Sequence, residues 1–340
     1  MKRTILVMMI MVLVSAFVFA ATLENKVIIY TCHGEEMPGA FKQYFEEAYP
    51  GVTVEFLAMG AQDMYDRAKA ERSNPQADIL WGGPTNIFLL EKRDGLLEKY
   101  VPSFDRSVPK EYKDIDGFFY GQFLTPPAIV YNTETLAEKD VPQDWDDLLD
   151  PKYKGQITMR YPLASGTMRT VYSAMIWRYY KVDGNPQRGY EWLKKLDANT
   201  KDYTSHSSVM FTNLVRGLAK ISIWNFSDAM LQKTLNGYPF GVVLPKSGTP
   251  VIIDNIAIVK NAKNPEAAKA FVEFVGTKQA SVMMAHQYFR IPVRTDVDKA
   301  ALPSWMKVEI VPMDIDWVAF AELSPTWMEY WDENIKGRGN

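Results

Sequence analysis

The sequence predicts an α/β protein built as two lobes, and three observations carry that expectation. From Lys26 onward, short β-rich apolar runs alternate with helically spaced segments, the order that gives a mostly parallel sheet with helices on both faces. The same strand, turn, helix order begins again beyond residue 131. A chain of 340 residues with 47% hydrophobic content is long enough to bury two cores rather than one.

"KVIIY" (26–30) reads as the first strand, and the next segment spaces Phe41, Tyr44, Phe45 and Ala48 at helical intervals until Pro50-Gly51 stops it. "VTVEF" (52–56) is a second strand, followed by a helix over roughly 62–72. "ADIL" (77–80) is a third strand, "WGGPT" (81–85) a turn, and a further helix ends at Asp94-Gly95. In the second half, strand "GQITM" (155–159) leads through the turn "YPLASGT" to a helix over about 168–180. "AKISIWNFSDAM" (219–230) repeats that order, and Asn264, Pro265 and Glu266 mark the N-cap, first position and first turn of a late helix. Extended segments near 125–131 and 251–259 connect the halves, as a two-segment hinge across a cleft would. The expected division is lobe I over 21–125 plus 256–300 and lobe II over 126–255 plus 301–340.

The N-terminus sets Lys2 and Arg3 before an apolar run from Ile5 to Phe19 and then Ala20 and Ala21. That pattern predicts a cleaved secretory signal peptide over 1–20, and hence a periplasmic or extracellular protein. The run is shorter than the roughly 20 residues of a comfortable membrane span. No cysteine stands at the processing site for a lipid anchor. The single cysteine, Cys32, excludes an internal disulfide. A net charge of −3 without a basic cluster argues against a nucleic-acid partner.

Catalytic motifs are absent: there is no H-E-x-x-H, G-x-S-x-G or G-x-x-x-x-G-K-[ST], and the only histidines are His33, His206 and His286. Cys32 and His33 are adjacent, but neighbours at an extended strand end point to opposite faces, so a nucleophile–base pair is not expected. The expectation is a binding protein, with a secreted enzyme as the rival class.

Ligands of such sheets sit beyond the carboxyl ends of the strands. That rule places Thr31 and His33, then Trp81, Gly82 and Gly83, at a site in the first lobe. In the second lobe, Ser165-Gly166-Thr167 forms a strand-to-helix turn whose exposed N–H groups and positive dipole end suit an anion. Arg169 in the first helical turn, unfavourable for the dipole alone, is explained by such an anion. Trp224 and Asn225 follow a second strand there, and Asp254 and Asn255 stand at the second hinge, where they would orient hydroxyls or an amine.

"VYNTETLAEKDVPQDWDDLLDPKYKGQITMRYPLASGT" and "AIVKNAKNPEAAKAFVEFVGTKQAS" resemble the periplasmic solute-binding proteins of ABC importers. The group is family 1, with ferric-ion-, hexose-phosphate- and aminoethylphosphonate-binding members. The resemblance implies a type II periplasmic-binding-protein clamshell that closes on a small-molecule ligand and hands it to a membrane ABC permease, as a monomer. It also implies that Ser165 to Thr167 face the cleft and receive a phosphate or carboxylate. Ferric members hold iron through adjacent tyrosines on the second lobe, but the corresponding turn here reads Trp224-Asn225-Phe226. The adjacent Tyr179-Tyr180 lies about three turns into a helix, away from the cleft end. An anionic organic solute is therefore expected, with no metal and no cofactor, and ferric ion is the alternative.

Overall fold

The computed structural model describes residues 23–338, so the expected signal peptide lies outside it. Two sheets form, each with its own helices. Residues 23–125 give β1 (Lys26–Thr31), α1 (Glu36–Ala48), β2 (Thr53–Ala58), α2 (Ala61–Ala70), β3 (Ile79–Pro84), α3 (Thr85–Arg93), β4 (Leu97–Glu98) and β5 (Tyr120–Thr125). The chain then crosses into β6 (Pro127–Asn132), β7 (Ile157–Arg160), α4 (Gly166–Asp183), α5 (Gln187–Asn199), β8 (Thr200–Thr204), α6 (Ser207–Val215), β9 (Ile221–Asn225), α7 (Phe226–Leu235) and β10 (Phe240–Val243). It returns as β11 (Ile252–Val259), α8 (Pro265–Val275), α9 (Lys278–Tyr288) and β12 (Ile291–Pro292), and ends in α10 (Trp317–Asn334).

The larger sheet runs β12-β5-β11-β3-β1-β2, with β4 beside β11; the smaller runs β10-β6-β9-β7-β8. β1 lies parallel to β2 and β3, whereas β11 enters antiparallel between β3 and β5. All eight residues of β11 are buried, because helices cover both faces and the strand reads as a continuous apolar run around Asp254 and Asn255. Phe41 and Phe45 of α1 and Phe271 of α8 fill one side of this sheet, each worth roughly 1.5–3 kcal/mol of apolar burial.

Four local expectations need correction. β3 does not end at Leu80 but runs through Trp81-Gly82-Gly83-Pro84, whose positive φ at Gly82 and Gly83 accommodates a bulge opposite β11. β9 passes into α7 with no intervening turn. The Asn264 side chain does not cap α8: it donates to Asp78, and the carboxylate of Glu24 accepts from the Ala267 N–H at 2.8 Å instead. β11 begins at Ile252, so Asp254 and Asn255 are ladder residues of the larger sheet rather than hinge residues of the second lobe.

The chain passes between the sheets at residue 126 and again over 244–251, and a third time on its way to α10. Met306 joins the larger sheet's core before that third passage. α10 buries Phe320, Trp327, Met328 and Trp331 in the smaller lobe, while its Ala321 packs with Met64, Phe88 and Leu90 of the larger one. The expected assignment of 301–340 to lobe II alone thus gives way to a segment shared by both lobes.

Candidate functional site

Because β3 continues past Leu80, Trp81 pairs with Thr31 on one side and Ile256 on the other. Its indole is fully buried, edge-on to Phe41 at 5.5 Å, Phe271 at 5.6 Å and His33 at 5.4 Å. The expectation that Trp81 lines the site is corrected: strand alternation turns it into the core. Gly82 has φ of 96° and lies so close beneath its neighbours that a Cβ there would meet His33 Nε2 at 2.5 Å and Cys32 Sγ at 2.9 Å. Cys32 and His33 therefore do not diverge. β1 stops at Thr31, and the following bend, in which the Thr31 hydroxyl accepts the His33 N–H at 3.2 Å, brings both side chains over Gly82.

Asp254 is tied at both oxygens, accepting the Gly83 N–H at 3.1 Å and the Thr125 hydroxyl at 2.7 Å, and burial raises its pKa. Asn255 donates to the carbonyls of Gly83 and Ile253. Burial, with help from the nearby Arg290 charge, holds His33 down to about 3, so its imidazole is neutral.

On the opposite side of the cleft, Ser165 is the N-cap of α4 and accepts the Met168 N–H at 3.3 Å. Thr167 accepts from the Asn225 amide at 3.4 Å. Asn225 and the Trp224 indole both donate to Asp228, at 3.2 and 3.0 Å. Arg290, from the larger lobe, completes that carboxylate's shell at 2.7 Å and lies over the Phe123 ring. Phe289 holds a left-handed backbone, φ 58°, which ends α9 and aims Arg290 at the cleft. Among the described residues the Arg169 side chain donates only to the Leu163 carbonyl, at 3.2 Å.

Four helix N-termini converge here. A Cβ on Gly166, the first residue of α4, would stand 3.2 Å from Pro84 and 3.3 Å from Ala61, so the starts of α2, α3 and α4 touch across the cleft. Asn225, the N-cap of α7, reaches Thr167 of α4. Of the four caps, only Ser165 supplies a side-chain acceptor; Gly60, Pro84 and Asn225 supply none. The first-turn N–H groups and positive dipole ends thus face one region from both lobes. Around it, His33 Nε2, Asn225 Oδ1, Ser227 Oγ, Asn255 Oδ1, Arg169 Nε and Arg290 Nε are buried without hydrogen-bond partners among the described residues. Buried polar atoms left open in this way mark a place that receives something.

Of the residues expected at the site, Thr31, His33, Gly82, Gly83, Asp254 and Asn255 gather at the strand ends of the larger lobe. Ser165, Gly166, Thr167, Arg169 and Asn225 gather opposite them. Trp224 touches the site only through its indole N–H. Tyr180 stacks on Trp177 and Tyr179 lies under Arg178 and Arg188, so that tyrosine pair is packing. Sequence reasoning missed Asp228, Ser227 and Arg290. The acid in "NFSDAM" follows the helix start and was legible as a first-turn residue, whereas nothing local announces that α9 ends at a left-handed phenylalanine.

Residues 74–315 match the family described as bacterial extracellular solute-binding protein. The probable ABC transporter periplasmic-binding protein y4fP of Sinorhizobium fredii is 27% identical over 93% of this chain and 88% of its own length. A Salmonella typhimurium periplasmic protein whose name proposes 2-aminoethylphosphonate as its ligand is 24% identical over 84% of this chain and 85% of its own. Among solved structures, AfuA of Actinobacillus pleuropneumoniae with fructose-6-phosphate bound superposes with a TM-score of 0.80 at 25% identity, covering 92% of this chain and 99% of that one. The ferric binding protein of Campylobacter jejuni shares the fold, with a TM-score of 0.79 at 23% identity over 90% of this chain and 98% of its own.

Proposed function

The chain belongs to the bacterial extracellular solute-binding protein family, and from that premise we propose that it captures a small anionic organic solute, phosphorylated or carboxylated, between its lobes. The lobes close on the solute, and the closed form delivers it to an ABC permease outside the cytoplasmic membrane. The observation that carries this reading is the meeting of four helix N-termini, drawn from both lobes and capped by a single side chain. An anion satisfies N–H groups from both sides only when the lobes are closed, and that difference in contact is what shifts the population toward closure. Ser165, Gly166, Thr167 and Arg169 hold the charged group; Asn225, Asn255 and Ser227 take hydrogen bonds from the rest of the solute. The relatives named for a phosphonate and crystallised with a sugar phosphate agree with this class.

The test is the double variant Ser165→Ala/Thr167→Ala, titrated calorimetrically with inorganic phosphate and with a hexose phosphate. Hydrogen bonds to a charged group contribute roughly 1.5–3 kcal/mol each, so affinity falls by about tenfold or more. As caps alone the two hydroxyls contribute about 1 kcal/mol each to folding, which lowers the melting temperature but leaves binding intact. Unchanged affinity with a lowered melting temperature rejects the anion role of this turn.

Ferric ion is the second ligand to test, since the fold is shared with a ferric binding protein. Phenolate oxygens suit hard Fe(III), and the β9–α7 junction offers Trp224-Asn225-Phe226 instead. Titration with a ferric chelate is expected to give no visible phenolate charge-transfer band. A band with stoichiometric uptake would replace the organic anion by iron.

A further inference from the structure

We propose that Cys32, His33 and Asp254 form a three-ligand site for a thiophilic divalent cation of the zinc class, on the larger lobe's side of the cleft and distinct from the anion-holding helix ends. One donor atom from each of the three residues lies within 4.8 Å of the others; His33 and Asp254 are buried and Cys32 is half-buried. His33 Nε2 is buried with no hydrogen-bond partner among the described residues, a ring nitrogen open to a ligand. It converges with Cys32 Sγ on the hollow above Gly82, which any larger residue would fill. Asp254 is already oriented from behind by the Gly83 N–H and the Thr125 hydroxyl, the outer contacts that a ligating carboxylate needs.

The charges balance. On binding, the Cys32 S–H proton leaves to solvent, and thiolate plus carboxylate cancel the dication. Arg290, the nearby cation, is already neutralised by Asp228 across the cleft. Sulfur, nitrogen and a single carboxylate favour zinc-class ions over hard Fe(III), Mg²⁺ or Ca²⁺. Three protein ligands leave a fourth tetrahedral position for water or for a donor atom of a solute.

Cobalt(II) titration of the intact protein reads the site directly. One equivalent is expected to produce a near-ultraviolet thiolate-to-cobalt charge-transfer band, which zinc then abolishes by displacement. Cys32→Ser removes the band, and both Cys32→Ser and Asp254→Asn weaken zinc binding by roughly tenfold or more. No such band in the folded wild type at saturating cobalt overturns the proposal, as does zinc affinity unchanged in Cys32→Ser. Should the serine variant fail to fold, the wild-type band and its displacement decide alone. Phosphate titration without added metal keeps the anion reading separate, because the two sites share no residue that holds the anion's charge.

Discussion

Glu91→Gln is expected to stabilise the protein at neutral pH, by an amount that grows as the pH rises above the carboxyl's ordinary range. Glu91 is fully buried in α3, and neither carboxyl oxygen has a hydrogen-bond partner among the described residues. Burial without a compensating cation raises its pKa well above the ordinary 4.5, so the native state keeps the proton that the unfolded chain releases. The sign follows: above pH 4.5 the unfolded state loses a proton the folded state retains, and stability falls with rising pH until the folded pKa is reached. The glutamine keeps the shape and removes the titration. Its advantage should therefore be near zero at pH 4 and grow through pH 7, as measured by urea unfolding at several pH values. A gain that does not change with pH, or a loss at pH 7, would mean that the carboxylate is charged and paired in the native protein.

Asp228→Ala is expected to cost about 3–5 kcal/mol, because it strands the Arg290 guanidinium in the cleft without its counter-charge. The pair is largely buried, its nitrogen and oxygen 2.7 Å apart. Arg290→Ala leaves the acid with the Trp224 and Asn225 donors and should cost less. The double variant Asp228→Leu/Arg290→Met should recover most of the loss, since apolar side chains of similar size avoid the desolvation that the ion pair must overcome. Denaturant midpoints for the four proteins give this ranking directly. A double variant as unstable as Asp228→Ala would show that the pair organises the cleft beyond its own charges.

The alternation of strand and helix was legible because apolar period and turn residues are local signals, whereas the second connection, expected over 251–259, is almost wholly strand β11, with the crossing just before it. What failed was where strands stop. "WGGPT" carries every mark of a turn, yet the twin glycines serve a bulge that lets β3 run on beside β11, and this one displacement moved Trp81 from cleft to core. The same kind of error hid the Cys32–His33 cluster: neighbours oppose each other on a strand, and β1 had already ended. Arg290 and Glu91 were not readable at all. Their roles depend on which distant elements pack around them, the smaller lobe's Asp228 for one and whatever buries α3 for the other, and no local pattern encodes that. Ser165 is the converse case, a hydroxyl before a helix that caps the helix as its type dictates.

The placement of β11 favours one order of pairing between the two sheets. β6 through β10 form an uninterrupted stretch, and β6 and β10 are themselves hydrogen-bonded neighbours. Once that stretch has paired, it carries the exit from β5 and the entrance to β11 side by side, and a very long excursion of chain collapses into a short one. The entropy of seating β11 between β3 and β5 drops accordingly, since loop closure depends on the effective length left to close. The smaller lobe thus acts as a splint for the larger, and refolding should gain the larger sheet's protection from hydrogen exchange only after the smaller sheet has gained its own.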